Sequence, residues 1–315
     1  MKTYVNKDII RRVFFALHKL AIRLGFHILP VHYYSPIPNI LELSKTKSLW
    51  AKQSDLPGIS VNLDEQVDNL KAICLPYQKE YLGNKTYLEA VTNYFGAGYG
   101  FIEAQALHSV IRYYKPKRII EVGGGISTYC MSKALELNLD HTGISSTITC
   151  IEPYPSDRLK QMAKVNLIRQ QVQTVPIELF QELDQNDLLF IDSTHTVKPG
   201  SDVNYLLLEV LPRLRSGVIV HLHDINLPFD YPRTTLRSYF HWTETSLLRA
   251  FLIFNAKVKL IFCLSHLHYD RKDAVKGVFP EYNPQSDING LRDEQHPSFG
   301  SISEHFPSSI YLQIQ

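Results

Sequence analysis

Arg118-Ile119-Ile120-Glu121-Val122-Gly123-Gly124-Gly125-Ile126-Ser127-Thr128 is the stretch of this 315-residue chain on which the reading of the fold turns. A short apolar run ends in three glycines, and a stretch with helical spacing, Ser127 to Glu136, follows at once. That is the outline of a strand, a tight turn and a helix. Downstream the alternation continues. Thr147 to Ile151 reads as strand two, Ser156 to Arg169 as a helix, and Val172 to Val175 as a weak third strand. Asp187 to Ile191 and Gly217 to Leu222 read as strands four and five around a helix at Asp202 to Arg213. A helix near Phe251, a strand at Val258 to Cys263 and an alternating Ser309 to Ile314 close the series. Repeated strand-helix units predict an α/β, Rossmann-like doubly wound sheet, mostly parallel with an antiparallel C-terminal edge strand.

Upstream, apolar residues from Asp8 to Leu29 recur at three- and four-residue steps with Arg11, Arg12, Lys19 and Arg23 between them, which predicts an amphipathic helix stopped near Gly25 and Pro30. Its face suits an anionic membrane surface, the chain's own domain or a second subunit. Asp64 to Tyr81 and Glu103 to Tyr114 read as further helices, with Gly96-Ala97-Gly98-Tyr99-Gly100 a loop or lid between them. That loop lacks the Lys-Ser/Thr of a phosphate-binding loop. The expected organisation is a helical extension and cap over residues 1–100 and a sheet domain over 101–315.

Composition narrows the function classes. With 44% hydrophobic and 20% charged residues the chain can bury a core. A formal charge of +2 and the lack of a Lys/Arg stripe interleaved with aromatics disfavour nucleic acid. Four cysteines without a CxxC pair point to reduced, structural thiols and a cytoplasmic setting. Lys19 and Arg23 interrupt what would be the apolar stretch of a signal peptide, and no run reaches the length of a membrane span.

In a doubly wound sheet the first strand-to-helix turn lies at the carboxyl edge, where ligands bind. Glycines there allow a tight turn and close backbone approach, and Ser127 or Thr128 can cap the helix. Glu121 ends strand one, where a carboxylate can pair with an ammonium group. Glu152 ends strand two, where it can accept from both hydroxyls of a ribose. Thirty-one residues separate them, which requires an insertion near Asn138 to Ser146. Asp192 with His195, and His223 with Asp224, follow strands four and five on the same edge.

The series Glu121 to Thr128, then Ile151-Glu152-Pro153, then Leu188-Leu189-Phe190-Ile191-Asp192-Ser193-Thr194-His195, then Leu211 to Ile225 with His223-Asp224-Ile225, resembles the class I S-adenosylmethionine-dependent methyltransferases, in particular a bacterial subgroup with FID-x-x-H and HDI signatures. The resemblance implies that Glu121, Gly123, Gly124, Gly125, Ser127, Thr128, Glu152 and Asp192 form the cofactor site, with Glu121 on the methionine amino group, Glu152 on the ribose, and Gln173 to Val175 near the adenine. It implies His195, His223, Asp192 and Asp224 at the reaction centre. Two mechanisms fit: a histidine as general base, or Asp192 and Asp224 holding a divalent cation such as magnesium. The second is similar to metal-dependent O-methyltransferases such as catechol O-methyltransferase, although Ile225 stands where those carry a further ligand. The expected reaction is methylation of a small-molecule or glycan hydroxyl. The rivals are a nicotinamide-dependent dehydrogenase, weakened by Thr128 in place of a third glycine, and a non-catalytic binding or assembly protein on the same fold. A homo-oligomer is compatible with either. Prolines and aromatics in Pro228 to Arg233 and His241 to Glu244 suggest a loop over an acceptor pocket. His266 to His305 reads as surface loop.

Overall fold

The computed structural model describes residues 7–96, 98–292 and 303–315. The chain divides into two units, Met1–Trp50 and Ala51–Gln315. In the first, a helix runs over Lys7–Arg23 as its periodicity predicts, and Gly25 ends it at a φ of +83°. The chain then folds back, Phe26 N donating to Ala21 O, and continues to a short helix at Ile40–Lys45 capped by Asn39. Among residues 9–50 only Ala21 is buried.

The second unit contains strands β1 (Arg118–Val122), β2 (Thr147–Ile151), β3 (Val165–Ile168), β4 (Leu188–Ile191), β5 (Ile219–Leu222) and β6 (Val258–Cys263), a two-stranded hairpin of β7 (Asp287–Ile288) and β8 (Leu291–Arg292), and β9 (Ile310–Ile314). Apart from the hairpin they form one seven-stranded sheet in the order β3-β2-β1-β4-β5-β9-β6. Strands β1 to β5 pair in parallel. The antiparallel C-terminal strand is β9, which pairs with β5 on one side and β6 on the other, so β6 is the outermost strand. Its second partner explains why nearly every residue of β9 is buried.

Side chains alternate between two cores. Ile119, Leu188, Phe190 and Ile219 pack with the helices at Leu63–Cys74, Phe101–Tyr114 and Ile126–Thr142. Ile120, Leu189, Ile191 and Val220 pack with the segments at Asp202–Arg213 and Glu244–Leu252. Burial on both faces is why these strands read as continuous apolar runs. The helix after β1 extends through Thr142 and supplies the extra length between Glu121 and Glu152.

Two expectations are corrected. Residues 156–169 are not one helix: Asp157–Lys160 forms a single turn and Val165–Ile168 is β3, while Val172–Thr174 is a 3-10 turn. Leu159, Met162 and Val165 mimic a helical face, but the open edge of β2 offers Val165–Ile168 a full ladder of backbone partners, and tertiary pairing overrides the local pattern. The tail is not a surface loop either. Leu264–Asp270 and Lys272–Val278 are helices that bury Leu267, Val275 and Val278, with Phe279 and Tyr282 following them into the core. Part of that tail, 293–302, lies outside the described residues, as does Ala97.

Candidate active site

Strand order reverses between β1 and β4, and the crevice at their carboxyl ends is where a doubly wound sheet binds ligands. The ladder continues past the strands: Gly123 N donates to Ile151 O, Asp192 N to Val122 O and His223 N to Ile191 O. Four strand ends are thereby held side by side. A Cβ on Gly123, where φ is +80°, would overlap the Asp192 carbonyl, and one on Gly124 would overlap the Cys150 sulfur. The glycines therefore permit the neighbouring strand ends to touch. On Gly125 a Cβ would press the Phe95 carbonyl at 3.0 Å, so the chain leading into Gly96–Gly100 runs along the turn.

Glu121 is fully buried, and its two oxygens accept from Ser127 Oγ and Thr128 Oγ1, each at 2.6 Å. Thr128 Oγ1 also accepts from Gly125 N at 2.9 Å, reaching back to the helix N-cap. Burial raises the Glu121 pKa to about 7 against the opposing pull of these hydroxyls. The carboxylate thus braces the turn from below. Glu152 is partly exposed beside it, 3.4 Å from Gly124 N and 2.7 Å from Tyr154 N. Gln173 falls in the 3-10 turn, so the residues directly after β3 are Arg169 to Gln171.

Asp192, His195, His223 and Asp224 meet at the ends of β4 and β5. His223 Nδ1 lies 3.3 Å from Asp192 Oδ1 and 3.7 Å from Asp224 Oδ2, while His195 Nε2 lies 3.3 Å from Asp192 and 3.6 Å from Asp224. His195 and Asp224 both adopt positive φ, 58° and 55°. That conformation is uncommon outside glycine and clusters at functional sites.

Three further residues complete the cluster. Glu103, in the first turn of the Phe101–Tyr114 helix, places Oε1 3.0 Å from His223 Nε2. Glu244, which opens the Glu244–Leu252 helix, places Oε2 2.8 Å from His195 Nδ1. Ser308, just ahead of β9, donates its N–H to Glu103 and its hydroxyl to Asp224. Sequence reasoning missed Glu103, Glu244 and Ser308 as site residues. The one available signal was a carboxylate set among Phe101, Ile102, Ala104 and Ala106, a helical stretch otherwise destined for the core.

The electrostatics follow from the count of carboxylates. Burial alone would lower His195, but Asp192, Glu244 and Asp224 outweigh it and push its pKa up to about 10. Burial likewise opposes charge on His223, and Asp224, Asp192 and Glu103 raise it well above the imidazole range. Asp192 is held well below the usual carboxylate range, His223 and His195 overcoming its burial. Burial prevails at Asp224 and raises it. Both imidazoles are therefore cationic near neutrality, with no lone pair to take a proton; the proton-accepting atoms here are carboxylate oxygens.

Among the described residues, Asp192, His223 and Asp224 form a group whose ligand atoms all lie within 4.8 Å of one another. His223 offers a third donor atom only in its neutral form, because a protonated imidazole has no lone pair for a metal. Two carboxylates and one imidazole suit a divalent cation. A cavity of about 410 Å³ opens beside His223 and Asp224, walled by Tyr99, Phe101, Arg233 and Trp242 among others. Its lining includes Pro232, Arg233, Thr234 and Trp242 of the Pro228 to Glu244 segment.

Residues 120–225 match the family described as "Methyltransferase domain". A protein of Archaeoglobus fulgidus named only as uncharacterized is 31% identical over 171 residues, spanning 50% of this chain and 74% of that one. Residues 120–225 are thus a methyltransferase domain of that family. Among solved structures, this methyltransferase is similar to an O-methyltransferase of Bacillus cereus in complex with S-adenosylhomocysteine, at 13% identity and a TM-score of 0.39 over 79% of this chain and 100% of that chain. A Podospora anserina methyltransferase bound to S-adenosylhomocysteine shows 15% identity and a TM-score of 0.36 over 75% and 93%.

Proposed function

We propose that this methyltransferase transfers the methyl group of S-adenosylmethionine to a hydroxyl oxygen of a small-molecule or glycan acceptor held in the cavity beside His223 and Asp224. The observation that carries the reading is the meeting, at one end of the sheet, of a glycine turn flanked by Glu152 and a carboxylate-histidine cluster that opens on an acceptor-sized cavity. The cofactor supplies an electrophilic methyl carbon on a sulfonium sulfur. Glu152, with lone pairs to spare, accepts from the ribose hydroxyls, and Gly123 to Gly125 give the backbone its close approach. Glu121 is assigned to bracing Ser127 and Thr128 rather than to the ammonium group, because both of its oxygens are engaged. Asp192 links the halves: its carbonyl packs on Gly123 and its carboxylate on the two histidines.

In the transfer, the acceptor oxygen bonds to the methyl carbon as the carbon–sulfur bond breaks, and the electron pair stays on sulfur. The hydroxyl proton passes to the Asp224 carboxylate, while cationic His195 and His223 hold Asp192 and Asp224 in place. With His223 neutral instead, Asp192, His223 and Asp224 would be the residues to hold a divalent cation, which would lower the pKa of the hydroxyl. The four cysteines are buried and unpaired, which supports the cytoplasmic setting.

Calorimetric titration with S-adenosylhomocysteine and NAD, with and without magnesium, tests the reading. Micromolar binding of the adenosyl ligand alone is expected, weakened about tenfold or more by Glu152→Ala. Preference for NAD, or an unchanged affinity in that variant, sinks it. Asp224→Asn is expected to keep cofactor affinity and lose methyl transfer from labelled S-adenosylmethionine by roughly a hundredfold or more.

A further inference from the structure

Among its described residues the Met1–Trp50 unit shows no core of its own. Residues 9–50 bury only Ala21, and the 17-residue helix Lys7–Arg23 leaves its apolar side uncovered. Ile9, Ile10, Val13, Phe14, Leu17 and Leu20 project to one side at helical spacing, and each is between 42% and 57% exposed. Leu24, Phe26 and Ile28 extend the exposed apolar surface past the helix. A contiguous apolar patch of this kind marks a surface that meets something other than water.

Charge identifies the partner. Residues 1–38 contain Lys2, Lys7, Arg11, Arg12, Lys19 and Arg23 against a single acid, Asp8, a net charge of five positive. The whole chain is +2, so the remaining residues carry a net −3. Arg12, Lys19 and Arg23 lie along the helix, flanking the face of Val13, Leu17 and Leu20. Pairing two such helices from different copies would bring like charges together, which disfavours a second copy as the occupant. An anionic bilayer meets both needs: acyl chains take the apolar side and headgroup phosphates the basic one. No helix among the described residues is long and apolar enough to cross a membrane, so the helix would lie in the interface.

We infer that the Lys7–Arg23 helix docks this methyltransferase on anionic lipid surfaces. Sedimentation of the full chain with phosphatidylcholine vesicles, with and without phosphatidylglycerol, tests the inference. The chain is expected to bind the phosphatidylglycerol vesicles at least tenfold more tightly than the neutral ones, with the difference shrinking as salt is added. Arg11→Gln and Arg12→Gln each weaken binding about fivefold. Leu17→Glu abolishes it while leaving the thermal midpoint and S-adenosylhomocysteine affinity unchanged. Equal binding to both vesicles, or binding to neither, overturns the inference. So does a fall in thermal midpoint for Leu17→Glu, which would place that face against the chain itself, or a dimer that the same variant splits in light scattering, which would make a second copy the occupant.

Discussion

Glu121 and Glu152 end neighbouring strands and meet opposite fates. Glu121 is sealed beneath the turn with a pKa of about 7, above the ordinary value of 4.5, so the folded state holds the extra proton across that interval. Its protonated form contributes stability that is fully present below a pH of about 4.5 and is lost as pH rises through about 7, a change of about 3 kcal/mol. The groups facing it are Ser127, Thr128, Cys150 and Asp192. Replacing it by Gln should flatten that decline, so the difference in urea stability between wild type and Glu121→Gln should be larger near pH 5 than near pH 8. Equal differences at both would place the titration elsewhere. Glu103, by contrast, reaches the cluster from the Phe101–Tyr114 helix and acts through His223. Glu103→Gln removes one of three carboxylates around that imidazole, and is expected to lower turnover about tenfold or more with cofactor affinity retained, as steady-state kinetics beside calorimetry would show. Glu152 was legible because it directly follows a strand in a known register. Glu103 was not, because its apolar neighbours predict burial but not which groups of other segments it meets.

At the scale of elements, the glycine turn and β9 carry the design. Gly123 has both a positive φ and no room for a Cβ beside the Asp192 carbonyl. Gly123→Ala must therefore shift β1 against β4, at a cost of about 2 kcal/mol or more. A fall of several degrees in the calorimetric melting midpoint, together with loss of S-adenosylhomocysteine binding, is expected. A variant that melted and bound as wild type would show the turn to be slack. The turn and strands β1, β2, β4, β5 and β6 were legible from short apolar runs with sharp ends. Strand β3 was not, since Leu159, Met162 and Val165 fit a helical face equally well and only pairing with β2 chooses between them. Strand β9 alternated visibly, but its place between β5 and β6 depends on partners 47 to 94 residues upstream.

For the whole molecule, both hydrophobic cores are built from residues of the Ala51–Gln315 unit. A chain beginning at residue 51 is expected to keep its melting midpoint within a few degrees and its S-adenosylhomocysteine affinity. A large drop in either would assign residues 1–50 a structural role in the methyltransferase itself. The sequence by itself set the alternation of strands and helices, the glycine turn, and the acids at the ends of β1, β2, β4 and β5, because each is written in a few consecutive residues whose spacing has one mechanical meaning. It could not set the protonation of His195 and His223, the enclosure of Glu121, or the arrival of Glu103, Glu244 and Ser308 at one site. Those depend on burial and on charges brought together from segments as much as 205 residues apart, and an electrostatic field is a property of packed neighbours, not of chain order.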